Sequence, residues 1–153
     1  MAANFTILCI GKSKRDGALE LAGEYQKRIG PSLTIHEFDS KGAGKPNGKD
    51  IEAEQLTAHI PKSAFVICMD ERGKELTSMD LAKKFGDWQN AGHHHFCFII
   101  GGADGIAPSL IARADYTMAL SRMTWPHRLA KVMILEQIYR AKSILDGHPY
   151  HRE

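Results

Sequence analysis

The chain has few cysteines and none of them are arranged in pairs. Its three cysteines, Cys9, Cys68 and Cys97, each sit inside an apolar run, and no C-x-x-C pair occurs. That excludes a disulfide framework and a thiolate metal site, and it predicts buried thiols in a reducing compartment. No apolar run approaches the roughly 20 residues that span a bilayer. The opening residues Met1-Ala2-Ala3-Asn4-Phe5 lack the basic region and small-residue cleavage site of a secretory signal. A cytoplasmic, membrane-free protein is the expectation. Net charge is nearly absent as well, at +2 from 20 basic and 18 acidic residues, so overall charge does not identify a nucleic-acid partner. Internal repeats are lacking too.

What is present fits one domain covering residues 1–153, long enough to bury a core without disulfides or metal. Five short apolar segments read as strands, at 5–10, 33–38, 64–69, 96–100 and 116–120. The first, third and fourth are nearly continuous apolar runs, as expected of strands covered on both faces. Helical spacing lies between them. Ala18, Leu21, Ala22, Tyr25 and Ile29 fall on one helix face, and Ala53, Leu56, Thr57 and Ile60 repeat the pattern up to Pro61. Thr77 with Asp80 resembles a capping box for a helix that Gly92 can end, and Pro108 suits the first turn of another. Alternating strands and helices predict an α/β fold with a mostly parallel sheet flanked by helices.

The last predicted helix, about 128–146, has Leu129, Val132, Met133, Ile134, Leu135, Ile138, Tyr139, Ala141, Ile144 and Leu145 around most of its circumference. Such a helix needs cover on more than one side, which points to a homodimer through this helix or to deep burial within one chain. Between Arg113 and Arg152 seven Lys or Arg face three acids. This is either a local surface for phosphates or scattered solvated charge. The Gly- and Lys-rich segment 40–49 reads equally as a basic RNA contact or as a flexible connection.

Gly11-Lys12-Ser13 follows the first strand, but a phosphate-binding loop needs a glycine where Thr6 stands, so nucleotide hydrolysis is not indicated. Three other segments follow strands at one edge of the sheet: Met69-Asp70-Glu71-Arg72-Gly73, Gly101-Gly102-Ala103-Asp104-Gly105 and Ser121-Arg122-Met123-Thr124-Trp125-Pro126-His127. Ligands of open α/β sheets bind at that edge, so three ligand-capable loops there outweigh any one. The run His93-His94-His95 lacks the further ligands that a metal site needs, as does His148-x-x-His151. The chain ends in a polar cluster of His148, Tyr150, His151, Arg152 and Glu153, suited to proton handling and to phosphate or base recognition, or else an ordinary terminus.

Four motifs in order then become recognisable: Ile100-Gly101-Gly102-x-x-Gly105, Met123-Thr124-Trp125-Pro126-His127, Leu135-Glu136-Gln137-x-Tyr139-Arg140-Ala141 and Pro149-Tyr150-His151. Together they resemble the RlmH-type ribosomal RNA methyltransferases, minimal members of the SPOUT class of S-adenosylmethionine-dependent enzymes. The resemblance implies a deep carboxyl-terminal trefoil knot that holds the cofactor. It implies a homodimer joined by the carboxyl-terminal helices, and methylation of N3 of a pseudouridine in large-subunit ribosomal RNA of the assembled ribosome. Carried over by motif, the cofactor contacts are Met69, Gly102, Ser121, Arg122, Met123, Thr124, Trp125 and Pro126. One departure is visible: the family commonly has Arg where this chain has Lys131, which keeps the charge but loses the planar fork.

The catalytic assignment falls on the tail. Arg152 is placed to favour the developing anionic ring, His148 or His151 to take the N3 proton, and Tyr150 to stack on or hydrogen-bond the base. In a dimer the tail would complete the partner's site. Two other readings are a related knotted methyltransferase acting on transfer RNA and a ribosome-associated RNA-binding protein without turnover.

Overall fold

The computed structural model describes residues 1–152; Glu153, the end of the polar tail, lies outside the described residues. Strands and helices alternate as β1 (Asn4–Ile10), α1 (Gly17–Ile29), β2 (Leu33–Phe38), α2 (Gly48–Thr57), β3 (Phe65–Glu75), α3 (Ser78–Asn90), β4 (His95–Ile100), α4 (Pro108–Arg113), β5 (Tyr116–Ala119) and α5 (His127–Leu145). The strands form one sheet in the order β2-β1-β4-β3-β5, and each neighbouring pair is parallel. All carboxyl ends therefore lie along one edge.

The continuous apolar runs are explained by two buried faces. Phe5, Ile7 and Cys9 of β1, Phe65 and Ile67 of β3, and Phe96, Phe98 and Ile100 of β4 join a core with residues of α1, α3 and α5. The alternate residues Leu8, Ile10, Val66, Cys68, Cys97 and Ile99 join a second core with Ala53 and Leu56 of α2 and Leu110 of α4. Period-two alternation thus sorts one apolar run into two cores. The first face is aromatic, with Phe85 edge-on to Phe96 at 4.9 Å and Phe65 against Trp88 at 4.4 Å. The three thiols are free and buried, and burial pushes each up to about 12, so all stay protonated.

Helix α3 opens with the capping box: the Asp80 N–H donates to Thr77 Oγ1 at 3.0 Å, and the Thr77 N–H donates to the Asp80 carboxylate at 3.4 Å. Helix α2 starts at Gly48, earlier than its apolar spacing indicates, and so takes its first residues from the Gly- and Lys-rich segment. Strand β3 departs more from the sequence reading. It continues past Met69 to Glu75, and both Met69 and Lys74 stand opposite Met118 of β5. Residues 70–73 are therefore a bulge inside one strand, not a loop after it. Gly73 permits the bulge to close, since a Cβ there would lie 2.8 Å from the Met118 backbone nitrogen.

Most of the broad apolar surface of α5 is used within the chain. Val132, Ile134, Leu135, Ile138 and Ala141 are buried in the aromatic core beneath α1 and α3. Leu129 and Leu145 remain 46% and 38% exposed. Gly147, at φ +73°, turns the chain after α5, and the His148 N–H donates to the Ser143 carbonyl at 2.8 Å. The tail then runs back along α5.

Candidate active site

The parallel order brings the ends of β1, β4, β3 and β5 around a cleft of about 1150 Å³. Its walls are the β3 bulge (Met69 to Arg72), the turn after β4 (Gly101 to Gly105), the segment after β5 with the start of α5, and part of the 39–49 segment. A pocket at the carboxyl edge of a parallel sheet is where such folds bind ligands.

Of the eight residues assigned to the cofactor by motif, seven line this cleft: Met69, Gly102, Ser121, Met123, Thr124, Trp125 and Pro126. The Ser121 hydroxyl organises its loop by accepting from the Met123 N–H and from the Trp125 indole N–H, both at 3.0 Å. That leaves the Trp125 ring 38% exposed at the cleft. Thr124 donates to the Glu71 carboxylate at 2.8 Å, tying this loop to the bulge. Arg122 differs. Its guanidinium faces a second hollow and donates to the carbonyls of Glu71 at 2.6 Å and Gly73 at 3.2 Å. It braces the bulge from outside the cleft.

The charge of the lining is lopsided. Asp39, Glu52, Asp70, Glu71 and Asp104 line the cleft against only Lys49 and Arg72. Hydrogen bonds from Arg72 hold Asp70 below its ordinary range despite its partial burial. Such a lining suits a cationic ligand better than a phosphate.

Three further polar residues at this edge were not assigned a role from sequence. Glu52 of α2 is only 8% exposed and lines the cleft. One of its carboxylate oxygens accepts from the Ser40 hydroxyl at 2.6 Å, and the other, Oε2, is buried with no partner among the described residues. His127 begins α5 with its ring packed on Gly11, where a Cβ would lie 2.5 Å from His127 Cε1. Burial, helped by the charge of Lys131, pushes the His127 imidazole below its usual value, and its Nδ1 is buried without a partner. Lys131 is 4% exposed and donates to the Ser13 hydroxyl and, at 2.6 Å, to the Glu37 carboxylate. Burial alone would raise Glu37, but the bonds from Lys131 and Ser13 outweigh it and hold Glu37 below the carboxylate range. Lys131 therefore holds a carboxylate and a hydroxyl behind the cleft. Glu52 has, in sequence, the look of a solvated charge on a helix face, whereas His127 closes a recognised motif and Lys131 stands out only as a departure from the family, neither with a role of its own.

The described tail residues, His148 to Arg152, do not line the chain's own cleft. Tyr150 donates to the Glu136 carboxylate at 3.1 Å, lies 3.3 Å from the Tyr25 hydroxyl and has the Arg140 guanidinium 4.8 Å from its ring centre. Burial and the bonds to Tyr25 and Glu136 push the phenol well above its ordinary value, so it acts as a donor and not as a base. Arg140 Nη1 and His151 Nδ1 are 3.0 Å apart. Arg can only donate, so this places the proton of neutral His151 on Nε2. Arg152 is exposed, and so is His148, whose ring makes no hydrogen bond among the described residues. The histidine run after α3 diverges: His95 Nε2 is hydrogen-bonded to Thr6 at 2.7 Å, while His93 packs 4.9 Å from Phe65.

Comparison with known proteins agrees with this geometry. The family model described as "Predicted SPOUT methyltransferase" matches residues 3–151. A protein of Paramagnetospirillum magneticum named "Ribosomal RNA large subunit methyltransferase H" is 41% identical over 148 residues, covering 95% of this chain and 97% of the relative. A protein of the same name from Neisseria meningitidis is 41% identical over 156 residues, covering 98% and 99%. Among solved structures, a probable methylase family protein of Haemophilus influenzae aligns over the whole chain and 72% of its own length with a TM-score of 0.57 at 13% identity. The SpoU methyltransferase AviRb of Streptomyces viridochromogenes, solved with AdoMet, aligns over 93% of this chain and 59% of its own with a TM-score of 0.50 at 13% identity. At such identities these two speak for the fold alone. With a parallel sheet, a cleft at its carboxyl edge and a family match across almost its whole length, the chain belongs to the SPOUT methyltransferase family.

Proposed function

We propose that this methyltransferase transfers the methyl of S-adenosylmethionine to large-subunit ribosomal RNA, at N3 of a pseudouridine in the assembled ribosome. The observation that carries the reading is the cleft: the loops that the family motifs assign to the cofactor converge there from separate strands. The residues present fit the molecule. Trp125, Met69 and Met123 supply apolar cover for an adenine and a thioether chain, the acidic lining suits a net cation, and the glycines after β4 let backbone approach. The RNA substrate rests on the names of relatives 41% identical over nearly the full chain.

Bound S-adenosylmethionine supplies a methyl group already activated by its sulfonium. The chain's own task is to hold the acceptor nitrogen in line with it and to remove the N3 proton as the new bond forms. The exposed His148 imidazole is the base best placed to meet a substrate, because His151 is engaged through Nδ1 by Arg140. Arg152, exposed on the tail, supplies positive charge for the developing anion.

The tail acts on a partner's cleft in this reading, and the chain works as a homodimer through α5. Two features support it: the described tail residues do not line the chain's own cleft, and Leu129 leaves apolar surface exposed near the start of α5. The knot implied by the family belongs to the same proposal, as do the single-domain organisation and a cytoplasmic location.

Methyl transfer to ribosomes lacking the modification, with the product base identified by mass spectrometry, tests the substrate. Transfer to transfer RNA instead would replace it. Deleting residues 150–153 should leave cofactor binding intact and reduce methyl transfer at least 100-fold; full activity removes the tail from the mechanism. Mixing that deletion with a cofactor-loop variant restores activity only if sites are shared between subunits.

A further inference from the structure

Glu52 is a buried carboxylate with half its hydrogen-bonding capacity unused. It sits on α2, outside every motif that identifies the family, yet it lines the cleft. The Ser40 hydroxyl satisfies Oε1 at 2.6 Å, whereas Oε2 is buried without a partner, and no cation lies within ion-pair distance among the described residues. A lone buried carboxylate costs several kcal/mol of desolvation unless a donor or a counter-charge meets it. A group of this kind calls for a partner that meets it in the functional state.

The position narrows the ligand. A Cβ placed on Gly102 would lie 3.0 Å from Glu52 Oε1 and 3.1 Å from Oε2. The carboxylate therefore stands directly behind a glycine whose backbone borders the cleft, beside the Ile10 side chain, and Gly102 puts no side chain of its own in front of it. Four more carboxylates line the same space against two cations, so the field there favours positive charge. A sulfonium carries charge but no hydrogen to donate. A primary ammonium carries both.

We infer that Glu52 is a ligand-binding residue whose free Oε2 receives the ammonium of the amino-acid portion of the bound nucleoside, with Ser40 fixing the carboxylate from the other side. This rests on the cofactor reading given above. No covalent step is involved.

Calorimetry on the full-length protein tests it with two probes. S-adenosylhomocysteine carries the ammonium and the nucleoside; 5′-methylthioadenosine carries the nucleoside without the ammonium. In Glu52→Met the dissociation constant for S-adenosylhomocysteine should rise at least tenfold, that for methylthioadenosine should stay within twofold, and the ligand-free melting temperature should hold or rise. A retained or raised melting temperature is not what a merely structural carboxylate would give. Glu52→Gln, which keeps shape and loses charge, should raise the S-adenosylhomocysteine constant at least fivefold, and it carries the test should the Met variant fold poorly. Equal loss for both probes would transfer the contact to a ribose hydroxyl and overturn the ammonium assignment. Wild-type affinity for both probes in both variants would overturn Glu52 as a ligand residue altogether. If the wild-type chain binds neither probe, the cofactor reading itself falls, an outcome distinct from either of these.

Discussion

The cleft and the tail are both polar clusters on one small domain, and they are built in opposite ways. In the cleft, buried polar atoms go without partners: Glu52 Oε2 and His127 Nδ1 have none among the described residues. In the tail, the two less exposed polar side chains are spent on the body of the fold, Tyr150 on Glu136 and Tyr25 and His151 on Arg140. Buried groups left unsatisfied cost stability and so mark a place that awaits a ligand. Groups already satisfied hold a shape. The cleft thus has the makeup expected of a binding site, and Tyr150 anchors the segment that carries His148 and Arg152.

The contrast can be broken in several ways, the largest effect first. Gly11 has φ +111° and carries the His127 ring where a Cβ would stand. Gly11→Ala combines left-handed strain with overpacking, so unfolding free energy should fall by about 3 kcal/mol in chemical denaturation. A loss below about 1 kcal/mol would mean that the cleft wall yields and is not preset. On the tail side, Tyr150→Phe removes a hydroxyl bonded to Glu136 and Tyr25 and should cost about 1 kcal/mol. Its affinity for S-adenosylhomocysteine should be unchanged, and a weaker affinity would erase the distinction between the two regions.

The smallest effect concerns pH. The folded state holds the His127 imidazole below its ordinary 6.5, chiefly by burial. Between 6.5 and the lower folded value the unfolded chain binds more protons than the native one, so stability falls as pH drops below 6.5. The melting temperature should decline over that window, and less steeply in His127→Gln. Glu37 works in a lower window: held below its ordinary 4.5, it adds stability above that value and loses it as pH falls further. Identical slopes above pH 4.5 in wild type and His127→Gln would remove His127 from the account.

How much was legible beforehand follows from the same contrast. Strands β1 and β4 announce themselves because burial on two faces leaves little room for polar residues, the buried Thr6 being met by His95. The loops assigned to the cofactor are legible because Gly101, Gly102 and Gly105 and the run Thr124-Trp125-Pro126 fall in a fixed order just after strands. The β3 bulge is not, since Asp70-Glu71-Arg72-Gly73 has the composition of an ordinary turn and only the pairing of both Met69 and Lys74 with Met118 reveals a strand. Glu52 and Lys131 are hidden for a different reason. A charged residue in a helix is normally solvated, and its burial depends on what the rest of the chain places over it.

The sheet order has a kinetic consequence. Strand β1 lies between β2, made soon after it, and β4, with Asn4 opposite His95. A nascent chain carries β1 with one bare apolar edge until β4 emerges, and β3 has no partner until then. Parallel pairings across such separations form slowly, in milliseconds to seconds for topologies of this kind. During synthesis the incomplete sheet exposes the edges that recruit other chains. A ribosome stalled before β4 should therefore hold a protease-sensitive, aggregation-prone chain, and full protection should arrive only once β5 and α5, which complete the sheet and its aromatic core, are free.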